Sequence, residues 1–141
     1  MDNVGVAELA STLRMSVMRL SRRMRQERSS TLTPTQVATL ATLARHGPMT
    51  LGEIAAYERV QPPSMTRVIT LLAEAGLVNR GQHPSDGRQV IAEVTEAGRE
   101  LLAADRRRRD EWLAEHLEDL APDEVDALKA AAPILDRLAG L

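Results

Sequence analysis

Cysteine is absent from this 141-residue chain, which excludes disulfides, thiolate metal sites and cysteine-based redox sensing. Aromatic side chains are nearly missing as well, Tyr57 and Trp112 being the only two. Single-strand binders and most sequence-specific RNA modules stack bases on aromatic platforms, so those classes are disfavoured; duplex DNA needs no such stacking. No stretch of 18 apolar residues occurs, and Glu8, Arg14 and Arg19 interrupt the segment where a secretory leader needs an unbroken apolar core. A soluble cytoplasmic protein without a membrane partner is therefore expected. His46, His83 and His116 lie far apart without metal-ligand spacing, so no metal site and no cofactor is expected. Nor is an enzyme, because no phosphate-cradling glycine loop, Ser–His arrangement or carboxylate pair in an apolar setting is visible, and Ser64 has no base candidate beside it.

What is present suits one globular domain: 43% of the residues are hydrophobic, enough for a real core. The net charge of −2 gives no global attraction to a polyanion, but the charges are unevenly placed. Residues 1–30 carry six Arg against three acids, residues 31–95 five of each sign, and residues 96–141 seven cations against twelve acids. Because charge acts locally, within a screening length of about 8–10 Å, a few converging arginines suffice to bind DNA.

Leu9, Leu13, Val17, Leu20 and Met24 recur at steps of four, four, three and four, the stripe of an amphipathic helix that ends before Ser29-Ser30-Thr31. Thr33-Pro34-Thr35-Gln36 then reads as an N-cap, a proline at the first helical position and a capping-box Gln. This second helix faces inward with Val37, Leu40, Ala41 and Ala44 and stops at Gly47-Pro48. Thr50-Leu51-Gly52-Glu53 repeats the capping box and opens a short third helix with Leu51, Ile54 and Ala55 inside. Pro62 and Pro63 force a turn near Arg59–Gln61 and a restart. The fourth helix, from Pro62, turns Val68, Ile69, Leu71 and Leu72 inward and ends at Gly76. Two short helices joined by a tight turn make a helix-turn-helix.

After Gly76 the period becomes that of strands: Leu77–Arg80 and Val90–Val94 flank a polar tip containing Pro84, Ser85, Asp86 and Gly87. Thr95 caps a long helical stretch bearing Leu113, Leu117 and Leu120, and Pro122 restarts a last helix with Val125, Leu128, Ala132, Leu135 and Leu138. Pro133, inside that pattern, is expected to kink or break it. The predicted fold is mainly α with one small β-hairpin, a winged helix-turn-helix flanked by N- and C-terminal dimerisation helices. Its divisions are residues 1–32, 33–95 and 96–141.

Candidate DNA-reading residues follow from chemistry. The fourth helix presents Ser64, Met65, Thr66 and Arg67 in its first turns, the part of a recognition helix that meets base edges. The hydroxyls suit phosphate or base, Met65 a thymine methyl, and Arg67 guanine or phosphate; first-turn amides beyond Pro62 also point at a phosphate. An Arg88 delivered by a slim hairpin suits a narrow, strongly negative minor groove. Asp86 is repelled by phosphate, so its expected task is to accept hydrogen bonds from wing amides or a neighbouring Arg and hold the tip, with Gly87 in the turn. Arg80, at the wing base, is expected at backbone phosphate. Arg106–Arg109 point almost all the way round a helix and cannot form one patch; Asp105, Asp110 and Glu111 offer salt-bridge partners along it.

The chain resembles the MarR-type regulators, named for multiple antibiotic resistance. The residues that carry the resemblance are Leu71-Leu72, Gly76-Leu77-Val78 with Arg80, and above all Asp86-Gly87-Arg88 followed by Val90, Val94-Thr95 and Gly98. The resemblance covers nearly the whole chain. It implies a transcription regulator, in the simplest case a repressor, with Arg88 on DNA and Asp86 fixing the wing. It also implies that terminal helices of two subunits interlock, here through Leu9, Leu13, Leu117, Leu120, Leu128, Leu135 and Leu138. Two recognition helices then meet successive major grooves of a palindromic operator, about 34–36 Å apart. Met15, Met18 and Met24 are candidates for lining a small-molecule effector pocket. The competing reading is a winged-helix protein-interaction module that does not bind DNA.

Overall fold

The computed structural model describes residues 2–140. Six helices and three short strands follow in the order α1 (Asn3–Arg25), α2 (Pro34–His46), β1 (Met49–Thr50), α3 (Leu51–Glu58), α4 (Pro62–Glu74), β2 (Val78–Gln82), β3 (Val90–Val94), α5 (Glu96–Glu118) and α6 (Pro122–Leu138). The chain divides into two compact units, Arg28–Arg107 and Met1–Glu27 together with Arg108–Leu141. The start of α5 falls in the first of these units, where Leu101 and Leu102 pack on the winged core and Asp105 is tied to Ser29 and Ser30.

In the unit Arg28–Arg107 local chemistry sets the helix starts. The Thr33 hydroxyl accepts from the Gln36 amide at 3.2 Å while the Gln36 side chain accepts from the Thr33 amide at 2.9 Å. Thr50 and Glu53 make the same reciprocal box, so each pair satisfies two amides that a helix start leaves without partners. At the end of α4 the Leu77 amide bonds to the Leu72 carbonyl and the Gly76 amide to that of Ala73. This double closure needs the left-handed backbone that Gly76 supplies at φ 77°, and it delivers Leu77 into the core.

The core gathers Leu40 and Leu43 of α2, Ile54 and Ala55 of α3, Met65, Ile69 and Leu72 of α4, and Leu77, Val78, Ala92 and Val94 around the sheet. The sheet order is β1-β3-β2, antiparallel throughout. β1, which the sequence pattern does not announce, pairs Met49 with Ala92 and Thr50 with Ile91. The wing ladder runs from Val78 opposite Val94 to Gln82 opposite Val90, so Gly81 and Gln82 belong to the strand and the free tip is shorter than expected. On α2, Ala41 is exposed and Leu43 buried; on α4, Leu71 is exposed.

The Thr95 hydroxyl accepts from the Gly98 amide at 3.1 Å and donates to the Gly76 carbonyl at 2.7 Å. Gly98 is buried where a Cβ would stand 2.7 Å from Val94 Cγ2 and against the Leu77 carbonyl oxygen. Gly98→Ala gains up to about 1 kcal/mol of helix propensity but meets backbone that cannot swing aside. A net destabilisation of about 1–3 kcal/mol is expected in urea unfolding; an unchanged midpoint would mean that the start of α5 shifts freely.

In the other unit, Arg23 donates to Glu27 at 2.9 Å and Arg108 stands 3.5 Å from the same carboxylate. The Arg23 hydrogen bond outweighs partial burial and, with both guanidinium charges, holds the Glu27 carboxyl below its ordinary value. Arg108 thus pairs with Glu27, two residues beyond the end of α1, not along its own helix. The Arg23 guanidinium lies 4.7 Å from the Trp112 ring centroid, a cation–π contact. α6 runs unbroken through Pro133. No described residue of α1 or α6 is buried in the single chain. Among the described residues no helix is long and apolar enough to cross a membrane.

Candidate nucleic-acid interface

α3 ends with Arg59 in the left-handed region, φ 55°, and α4 restarts at Pro62, where the absent amide of proline costs nothing. The first turns of α4 expose Ser64, Thr66 and Arg67. Met65 is a correction: it is fully buried, its sulfur 3.8 Å from the Thr39 hydroxyl. Met65, Ile69 and Leu72 follow one another at steps of four and three, so Met65 belongs to the core stripe and cannot meet a base.

Further along α4 the Thr66 hydroxyl donates to the Pro62 carbonyl at 3.0 Å and the Thr70 hydroxyl to the Thr66 carbonyl at 2.8 Å. With its proton spent, Thr70 Oγ1 accepts from Arg80 Nη1 at 3.2 Å. Arg80 is therefore held against the recognition helix. Between α4 and the wing root lies a groove of about 310 Å³ lined by Leu51, Thr66, Thr70, Arg80, Gly81, Gln82 and Val90. A second, about 320 Å³, runs from Thr50, Leu51 and Gly52 to Arg88, Gln89 and Val90. One face thus carries the exposed side of α4, the start of α3 and the wing.

The wing tip is tied internally. Asp86 Oδ1 accepts from the Arg88 amide at 3.1 Å and from Arg88 Nε at 3.4 Å. The Asp86 carbonyl accepts from the Gln89 amide at 3.0 Å, and the Gln89 carbonyl from the His83 amide at 3.0 Å. Asp86 is partly covered, whereas the Arg88 side chain is 93% exposed. Neutralising one edge of the guanidinium leaves its remaining donors facing outward. Gly87 occupies the turn with open space around it. Thr70 and His83 were absent from the sequence-derived set. Thr70 sits one helical turn after Thr66, and His83 two residues before Ser85, a local spacing typical of turn-capping side chains.

Outside this face, Met15 and Met18 are exposed, Met24 is half-buried and Arg14 Nη1 lies 3.8 Å from Met18 Sδ. Leu9, Leu128, Leu135 and Leu138 are exposed, and Leu13, Leu117 and Leu120 half-buried.

Residues 32–90, from the last residues before α2 to the start of β3, match the MarR family. An HTH-type transcriptional regulator of Mycobacterium tuberculosis is 52% identical over 130 residues, 92% of this chain and 91% of the relative. The chain belongs to the MarR family. A crystal structure from Pseudomonas aeruginosa superposes on this MarR protein with a TM-score of 0.82 at 30% identity, covering 99% of both chains. A Staphylococcus aureus MepR mutant, solved bound to an oligodeoxyribonucleotide, shares the fold with a TM-score of 0.72 at 22% identity over 93% of this chain and 96% of its own. The winged helix-turn-helix of the MarR transcription regulators is therefore the architecture on which the exposed arginines stand.

Proposed function

We propose that this MarR-family chain is a homodimer that binds a palindromic duplex operator and represses transcription by occupying it. The observation that carries the reading is the wing: an exposed guanidinium, that of Arg88, tethered at one edge by Asp86 on the tip of a hairpin. An arginine presented this way suits a narrow minor groove, whose negative potential attracts it without detailed base reading. Ser64, Thr66 and Arg67 then address the major groove, and Arg80 addresses phosphate from its seat on Thr70. Dimerisation is supported by α1 and α6, which bury no described residue within one chain while exposing Val17, Leu20, Leu128 and Leu135. A second copy is the occupant that gives a two-fold operator its matching symmetry. Release by a small molecule would act through the spacing of the two heads, with Met15, Met18 and Met24 on α1 as the adaptable lining.

The test uses the duplex recovered by selecting bound fragments from the source genome, titrated at two salt concentrations. Wild-type affinity should fall steeply with salt as counterions return to the phosphates. Arg88→Ala should weaken binding by about 1–3 kcal/mol, roughly 5- to 150-fold. Salt-independent binding, or no binding, favours a protein-interaction module; unchanged affinity of the variant removes Arg88 from the interface.

A further inference from the structure

The tip of the wing is organised around an imidazole. His83 follows the last residue of β2 and is half-buried. Its Nδ1 stands 3.1 Å from the Ser85 amide nitrogen, 3.2 Å from that of Asp86 and 3.3 Å from the Ser85 hydroxyl. Backbone amides only donate, so Nδ1 must be the acceptor. That requirement sets the ring proton on Nε2.

We propose that His83 is the positioning residue of the reading head: its unprotonated Nδ1 gathers the Ser85 and Asp86 amides and thereby sets the carboxylate that aims Arg88. The inference rests on the DNA-binding role given above to the wing. The chain of contacts is continuous and local. His83 orients the peptide units entering Asp86, and Asp86 Oδ1 receives the Arg88 amide and Nε. Without the acceptor at position 83, two amides at the bend turn to water. The loop then loses one of the few contacts that select its conformation, and an ordered arginine becomes one spread over many directions, at a cost in affinity.

The experiment compares wild type, His83→Ala and His83→Asn on the selected duplex at about pH 8. Asparagine keeps an acceptor able to reach the amide two residues on. His83→Ala should lose roughly five- to tenfold in affinity at pH 8, a part of what removing Arg88 costs, and His83→Asn should recover most of it. Thermal melts check that the variants fold, and nitrogen chemical shifts of the free protein should report the Nε2–H tautomer of His83. Equal affinities for wild type and both variants, or an Nδ1–H tautomer, each overturn the proposal. Absence of salt-dependent duplex binding by wild type removes the DNA-binding reading instead, and the tautomer still reports on the tip.

Discussion

Charged substitution of the exposed apolar face of α6 should lower operator affinity by about 10²–10⁴-fold without unfolding the winged unit. Leu128 and Leu135 are 49% and 38% exposed in the single chain and lie seven residues apart, on one face of the helix. Leu128→Glu with Leu135→Glu therefore removes little packing within the chain. In a dimer the same positions would enter the interface, where two carboxylates per subunit have no partner and their desolvation opposes association. Separate subunits must bind each half-site independently, and the gain from linking two reading heads, typically 10²–10⁴, is lost. Sedimentation should show a monomer, and a duplex carrying one half-site should bind wild type and variant alike per head. A variant that stays dimeric, or that binds the full palindrome as tightly as wild type, would remove α6 from the interface.

The parts of the fold legible in the sequence are those made by neighbours along the chain. Capping boxes at Thr33/Gln36 and Thr50/Glu53, the proline restart at Pro62, the left-handed Gly76 and the Thr95 cap are each written within four residues, and each appears in the structure. The tether between Asp86 and Arg88 is of the same kind, two residues apart. Local spacing is ambiguous where an apolar residue has two available faces. Met65 lies in the first turns of α4, where a DNA contact is expected, but its spacing to Ile69 and Leu72 puts it on the buried stripe. Leu71, a step round the helix from Leu72, is 46% exposed for the same geometric reason. Strand β1 has two residues and exists only through its pairing with β3, so it leaves no periodicity to detect. Arg108 illustrates the limit for charges: acids lie beside it on α5, yet its carboxylate partner is Glu27, distant in sequence.

Asp105 is the clearest case of a long-range feature without a local signature, and removing it should destabilise the protein by about 2–4 kcal/mol at neutral pH. It is 1% exposed, on a helix whose neighbouring residues suggest solvated charge. Its Oδ1 accepts from the Ser29 amide at 2.9 Å, the Ser29 hydroxyl at 3.0 Å and the Ser30 amide at 3.2 Å, and its Oδ2 from the Ser30 hydroxyl at 2.8 Å. Burial alone would raise the Asp105 pKa, but the Ser30 hydroxyl and the three other donors outweigh it and hold the group below its ordinary value. A depressed carboxyl stabilises the fold in its ionised form, so the contribution is complete above the unfolded value of about 3.9 and is lost as pH falls through the lower folded value. Asp105→Ala leaves two amides and two hydroxyls without their acceptor at every pH. Asp105→Asn keeps one acceptor oxygen, loses the charge and turns an amide toward the donors. Urea unfolding should therefore show a stability gap between wild type and Asp105→Asn that is widest near pH 7 and narrows below about pH 4. A gap that stays constant down to pH 3 would mean that folding leaves the Asp105 pKa unchanged, so that the serines favour neither form of the carboxyl.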